Sequence, residues 1–126
     1  MQLSIIIPIY NEEQILPELH ERLTKAALDI TEDYELIFIN DGSRDGSLYG
    51  LMQIAEKDPK AYYINFSRNF GHQIAVTAGI ENCRGDSVVI IDGDLQDPPE
   101  LIPEMYKKHK EGFEVVYARR EKREGE

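Results

Sequence analysis

The stretch Ser87–Pro99, SVVIIDGDLQDPP, decides how the rest of the chain is read. Val88–Ile91 is a run of β-branched apolar side chains, the composition of a buried strand. It passes directly into three acids, Asp92, Asp94 and Asp97. Asp92 and Asp94 flank Gly93, so an extended or turning backbone can aim both carboxylates, directly or through water, at one hard cation. Gly93 leaves room for a ligand close to the backbone. Asp97-Pro98 has the form of a helix cap followed by proline at the first helical position. A hydrophobic strand that delivers carboxylates to its C-terminal end is a site pattern of open α/β sheets. Taken alone, the same D-x-D reads equally well as a loop whose aspartates only cap and turn, so the flanking segments have to decide.

Downstream, Leu101, Ile102, Met105 and Tyr106 mark a helix. Pro103 falls about one turn in, which predicts a bent first turn. Lys107, Lys108 and Lys110 suit its C-terminal dipole, and Gly112 suits the position just past its end. Phe113–Ala118 reads as a fifth strand. The tail from Arg119 to Glu126 is polar and mixed in charge, expected to be frayed or to bring Arg119 to a phosphate.

Upstream, Ala61–Phe66 reads as the third strand, followed by the polar tract SRNFGHQ and a short helix over Ile74–Ile80. Small residues in that helix, Ala75, Ala78 and Gly79, permit close approach to the sheet or to a ligand. Arg68 is a candidate for a diphosphate, since a guanidinium matches phosphate oxygens in pairs; a salt bridge at the sheet edge is the alternative. Gly71 sits where that helix begins, and His72 at its start fits a capped surface residue or a ligand. Further back, Tyr34–Asn40 is the second strand. It opens into DGSRDGS, where Asp41 could accept from a ribose or a base or simply form the turn, and Asp45 or Ser47 would cap the next helix. Leu3–Ile9 is the first strand, weakened in its pairing at Pro8. Asn11 and Gln14 fit a capping box ahead of an amphipathic helix carrying Ile15, Leu16, Leu19, Leu23, Ala26, Ala27 and Ile30. Glu12 and Glu13 either favour that helix's dipole or face a ligand.

Composition narrows the function classes. With 126 residues and 41% hydrophobic content the chain suits one domain with a real core. A net charge of -10, from 24 acids against 14 bases, disfavours a nucleic-acid surface but not a single nucleotide whose phosphates are offset by metal. The lone Cys83 permits no internal disulfide and reads as an inert thiol of a reducing compartment. No apolar run is long enough to span a bilayer, and Met1-Gln2-Leu3 carries no signal-peptide pattern. The order β-α-β-α-β-α-β-α-β, with near-continuous apolar strands, predicts an α/β fold: a mostly parallel open sheet with helices on both faces. Polar groups collect at the C-terminal ends of four strands, without a dinucleotide fingerprint or a P-loop. The residues by themselves leave two readings open, a metal-dependent nucleotide-sugar enzyme and an acidic-pocket signalling domain.

SIIIPIYNEE at Ser4–Glu13, FINDGSRDGS at Phe38–Ser47, NFSRNFGHQIAVTAGI at Asn65–Ile80, IDGDLQDPPELIPEM at Ile91–Met105 and VVYARR at Val115–Arg120 occur in that order. Together they resemble the nucleotide-binding half of the family 2 glycosyltransferases. Within that family they are most similar to the polyprenyl-phosphate sugar transferases, the dolichyl-phosphate mannose synthase-like and undecaprenyl-phosphate group. The resemblance implies a nucleotide-diphospho-sugar transferase fold of the GT-A-like type, truncated here. Residues 1–126 would be its nucleotide-sugar-binding part, incomplete at the C-terminus and flexible over 119–126.

By position, the resemblance implies that Pro8, Tyr10 and Glu12 line the nucleotide site and that Asp41 holds the base or ribose end. Asp92 would lie by the sugar nucleotide, and Asp94 with Gln96 would complete the environment of Mg²⁺ or Mn²⁺. Asp92 and Asp94 would be the catalytic pair, and Arg119 would lie near the diphosphate or the lipid phosphate. The implied reaction is inverting transfer of a sugar from a nucleoside-diphosphate sugar, UDP-linked in preference to GDP-mannose, to a polyprenyl phosphate. A glycan hydroxyl acceptor and a non-catalytic nucleotide-binding module are the rival readings. The full-length protein is expected at the cytoplasmic face of the cell membrane, anchored by segments beyond Glu126. The present chain is expected to be soluble, inactive alone, and either a homo-oligomer through an unpaired edge or frayed from Arg119.

Overall fold

The computed structural model describes residues 1–110 and 115–117. Its elements in chain order are β1 (Leu3–Ile9), α1 (Leu16–Leu28), β2 (Tyr34–Asn40), α2 (Ser47–Lys57), β3 (Ala61–Asn65), α3 (His72–Asn82), β4 (Ser87–Ile90), a 3₁₀ turn (Pro99–Leu101), α4 (Ile102–Lys110) and β5 (Val115–Tyr117). The strands form one sheet in the order β3-β2-β1-β4-β5, every neighbouring pair parallel.

Burial explains the unbroken apolar runs. All seven residues of β1 and all seven of β2 are buried, because the sheet is covered on both faces. Leu3, Ile5, Ile7 and Ile9 point into the larger core with Leu16, Leu19 and Leu23 of α1, Leu51 of α2, and Ile102 and Tyr106 of α4. Ile6, Ile37, Ile39, Val88 and Ile90 point the other way, against Ala75 and Val76 of α3. Leu19 and Leu23 are fully buried, and each contributes about 1.5–3 kcal/mol relative to exposure. Gly79 lets α3 lie close on its face, since a Cβ there would stand 2.4 Å from Ile6 Cγ2.

Pro8 shapes the space between β1 and β4. Its carbonyl accepts from Gly93 N–H at 3.2 Å, so that edge of Pro8 faces β4. Proline has no N–H to donate on the same edge, and regular β1–β4 pairing ends at Ile6↔Ile90. On the opposite edge Pro8 stays in register with Ile39. The sheet's order also reverses here: β2 and β3 extend to one side of β1, β4 and β5 to the other. The C-terminal ends of β1 and β4 therefore form the topological switch point, where open α/β sheets leave a crevice.

The helix after the acidic loop corrects one expectation. Asp97 is buried and stands one residue ahead of the cap position; Pro98 holds that position, extended at ψ 132°, and the helical turn begins at Pro99. A residue before proline is driven out of the α region, and Pro98 precedes Pro99. Pro103 sits in the first turn of α4, where no N–H is required, so the bent start takes the form of a 3₁₀ turn. Arg22 of α1 fastens that turn by pairing with both carboxylate oxygens of Glu100, at 2.9 and 2.6 Å. Gly112, Arg119, Arg120 and Arg123 lie outside the described residues.

Candidate active site

Two loops leave the sheet at β1 and β2 and interlock. Asn11 N–H donates to Ser43 Oγ at 2.9 Å, and Asn11 Oδ1 accepts from Arg44 N–H at 2.8 Å. Glu12 N–H donates to Ser47 Oγ at 3.0 Å and Glu13 N–H to Asp45 Oδ2 at 3.2 Å. Glu13 Oε1 accepts from Gly46 N–H at 2.9 Å. The capping box read from Asn11 and Gln14 is not formed: Asn11 is left-handed at φ 55°, and α1 starts after Ile15 with no side-chain cap. Asp45 does serve the start of α2, accepting from Ser47 N–H at 2.9 Å. Burial pushes the Asp45 carboxyl up, but the hydrogen bonds from Ser47 and Glu13 outweigh it and hold the group below its usual range.

Asp41 is the next residue of the β2 end. It is 5% exposed, and its carboxylate accepts from Phe70 N–H at 2.8 Å, Gly71 N–H at 3.1 Å and Asn69 Nδ2 at 3.3 Å. It thereby fixes the β3–α3 loop against the β2 end. Gly42 makes this approach feasible: at φ 70° it adopts a left-handed turn, and a Cβ there would lie 2.2 Å from Arg68 C and Asn69 N.

At β4, Gly93 has a different use from the one its sequence suggests. The room it leaves is filled by β1, because a Cβ would stand 2.3 Å from Ile9 Cδ1 and 2.9 Å from Pro8 O. Asp94 Oδ1 accepts from Gln96 N–H at 3.0 Å, an Asx turn closed over Leu95, which is left-handed at φ 62°. Leu95 packs on the larger core, and that contact offsets a backbone cost of about 1 kcal/mol or more.

These ends enclose a cleft of about 320 Å³ lined by Pro8, Ile9, Tyr10, Glu12, Asp41, Asn69, Gly71, His72, Asp92, Gly93 and Asp94. Six residues expected at the site, Pro8, Tyr10, Glu12, Asp41, Asp92 and Asp94, are thus brought together with Asn69 and His72, whose pointer in the sequence was the polar SRNFGHQ tract after β3. Gln96 is exposed and outside the cleft lining, and its backbone N–H closes the turn onto Asp94. Arg68 is exposed and lies with its guanidinium 4.3 Å from the Phe70 ring centre, also outside the lining. A larger groove, about 710 Å³ between α1 and α2, contains none of these strand-end acids except Glu13.

The cleft is acidic. Burial first, then the charges of Asp94 and Asp45, push the Glu12 carboxyl above its usual range. Among the described residues no three His, Cys, Asp or Glu side chains form a complete metal cage. The chemistry of the donors nevertheless fits Mg²⁺ or Mn²⁺. Asp92 and Asp94 supply hard oxygens, and the pressure of Asp94 on Glu12 is of the kind a cation relieves. Mg²⁺ is commonly held by one or two carboxylates plus substrate phosphates rather than by a full protein cage. Among the described residues no helix is long and apolar enough to cross a membrane. Cys83 is partly buried, donates to Ile80 O at 3.1 Å, and has its thiol pushed up by burial, as suits an inert thiol.

Comparison with known proteins adds the family. Glycosyl transferase family 2 matches residues 4–126. An uncharacterized glycosyltransferase of Bacillus subtilis, YkcC, is 54% identical over all of this chain and 39% of its own length. An undecaprenyl-phosphate 4-deoxy-4-formamido-L-arabinose transferase of Pseudomonas fluorescens is 43% identical over 96% of this chain and 36% of its own. The chain thus spans well under half the length of these relatives. Among solved structures, the Pyrobaculum calidifontis mannosyltransferase PcManGT, in complex with GDP-Man and Mn²⁺, superposes with a TM-score of 0.67 at 25% identity, covering 74% of this chain and 27% of that one. S. aureus TarS in complex with UDP-GlcNAc gives a TM-score of 0.67 at 25% identity, covering 88% of this chain and 32% of that one. The fold is accordingly part of a GT-A-type domain, and with a family match over nearly its whole length the chain belongs to the family 2 glycosyltransferases.

Proposed function

We propose that the full-length protein transfers a sugar from a nucleoside-diphosphate sugar to a polyprenyl phosphate, with inversion at the anomeric carbon. The observation that carries this reading is the convergence of Glu12, Asp41, Asp92 and Asp94, from three strand ends, on one cleft at the switch point. The name of the Pseudomonas relative supports the acceptor class, and the ligands of the two solved neighbours support the donor class. A UDP-sugar is favoured over GDP-mannose.

In this reading Pro8, Tyr10, Glu12 and Asp41 receive the nucleoside end, with Tyr10 half-exposed at the rim. Asp92 and Asp94 face the diphosphate and sugar and hold Mg²⁺ or Mn²⁺, with Gln96 next to them; Arg68 and Arg119 add positive charge for phosphate. When bound, the cation supplies charge stabilisation for the leaving diphosphate. A lipid phosphate oxygen forms its bond to the anomeric carbon as the carbon–oxygen bond to the diphosphate breaks, the electron pair leaving with the nucleotide. The attacking phosphate is already anionic near neutral pH, so no strong general base is required. In this reading the acceptor site and a membrane anchor fall in the part of the relatives' length that this chain does not span, and the 126-residue chain alone is expected to bind nucleotide without turnover.

The test supplies full-length protein, in membranes or detergent, with radiolabelled sugar nucleotides and undecaprenyl phosphate. Label should enter the lipid phase with one donor and be lost in Asp94→Ala. Transfer to a saccharide hydroxyl instead would reassign the acceptor. No transfer with any donor would favour a nucleotide-binding module.

A further inference from the structure

Gly71, at φ 104°, turns the β3–α3 loop so that His72 becomes the first residue of α3 at the wall of the cleft. Its Nε2 stands 2.7 Å from Asp92 Oδ1. Against an ionised carboxylate, which only accepts hydrogen bonds, this pairing assigns the proton and the donor role to Nε2. The ring is half exposed, whereas the Asp92 side chain is only 14% accessible. α3 is anchored on the sheet by Ala75, Val76 and Gly79, none of which depends on the imidazole. The bond therefore spans the cleft between two elements that are already packed in place, and it ends on one of the two acids assigned to the donor.

We infer that His72 is a positioning residue for Asp92. By engaging Oδ1 it fixes the rotation of the carboxylate plane, and so the direction in which Asp92 meets the donor and its cation. A partner behind a ligating carboxylate commonly changes metal affinity about 10–100-fold when removed. The inference rests on the donor-binding reading above, and its test includes a measurement that needs no donor.

The full-length protein is compared with His72→Ala and His72→Gln by calorimetry, using UDP and GDP with and without Mn²⁺. His72→Ala should weaken Mn²⁺-dependent nucleotide binding about 10-fold or more, with an unchanged denaturation midpoint. His72→Gln, whose amide can donate to the same oxygen, should recover most of that loss. Uridine and guanosine, which lack the diphosphate, should bind all three proteins alike. Separately, long-range ¹H–¹⁵N spectra should show the His72 proton on Nε2 in the wild type and a loss of that preference in Asp92→Ala. Unchanged binding in His72→Ala, no recovery in His72→Gln, or a proton on Nδ1 would each overturn the inference. If wild-type binding ignores Mn²⁺ while the spectra show the bond, the cation reading fails instead, and an unaltered affinity of His72→Ala for UDP and GDP then rejects the positioning role.

Discussion

On the β1–β2 side of the cleft, Asn11, Glu13, Ser43, Asp45 and Ser47 are engaged with one another's loops; on the β4 side, Asp92 and Asp94 line the open space. Both regions are short polar tracts after buried strands, and both look like sites in the sequence. The difference lies in where their hydrogen bonds go. The first region satisfies the backbone N–H groups of two helix-leading loops, a structural use of polar side chains. The second closes its own turn with an Asx bond at Asp94, pairs Asp92 with His72, and sets both acids at the cleft wall. Mutations in the first should therefore read out mainly in stability, and mutations in the second mainly in binding.

The largest effect is expected where the first region depends on a missing side chain. Gly42→Ala forces a left-handed alanine against the Arg68–Asn69 backbone and should cost about 3 kcal/mol in denaturant unfolding. A loss below about 1 kcal/mol would mean that the β3–α3 loop gives way easily, and that its attachment to Asp41 is loose. Next comes Asp94→Ala, which should weaken Mn²⁺-dependent UDP or GDP binding about 100-fold, close to 2.8 kcal/mol, while costing only about 1 kcal/mol of folding through the lost turn bond. Equal losses in both measurements would erase the contrast between the two regions.

Ser47→Ala should act the other way. Ser47 is fully buried and accepts from Glu12 N–H, so removing its hydroxyl should cost about 1–2 kcal/mol of stability and little nucleotide affinity. The smallest effect is expected at Glu12, whose backbone belongs to the first region and whose side chain belongs to the second. Its carboxyl is raised above the ordinary 4.5 by burial, Asp94 and Asp45. A raised carboxyl favours folding while protonated, and that contribution is lost as pH rises through the folded value. At neutral pH the ionised group is therefore a liability, and Glu12→Gln should gain stability, by less than about 1 kcal/mol after solvent screening. The gain should disappear below the ordinary carboxylate range, as thermal melts across pH would reveal, and the same variant should bind the Mn²⁺–nucleotide complex more weakly.

Residues whose partners lie nearby in sequence, or whose partner is simply the core, were legible. Leu3–Ile9 and Tyr34–Asn40 form strands over the ranges their apolar runs mark, since burial on both faces demands continuous apolar character. The third helix was legible in its middle, Ile74–Ile80, and at its start, where Gly71 marks the turn into His72, but its end runs on to Asn82, where no apolar mark points to it. The acids of β4 were legible as part of the cleft wall because a buried strand must present whatever follows it at the C-terminal edge of the sheet.

By itself, then, the sequence determined the alternation of strand and helix, the two-faced core, and the collection of polar groups at strand ends, all of which follow from periodicity and burial. Tertiary structure decided which of those groups fasten loops together and which line the cleft. Asn11 Oδ1 reaches Arg44 N–H across 33 residues, Asp41 reaches Phe70 N–H across 29, and His72 reaches Asp92 across 20. A hydrogen bond is settled by atoms about 3 Å apart in space, and sequence spacing alone does not encode that proximity. Only the folded sheet, with β1 between β2 and β4 and its order reversing beside Pro8, distributes the same kinds of polar residue between a fastening and an open cleft.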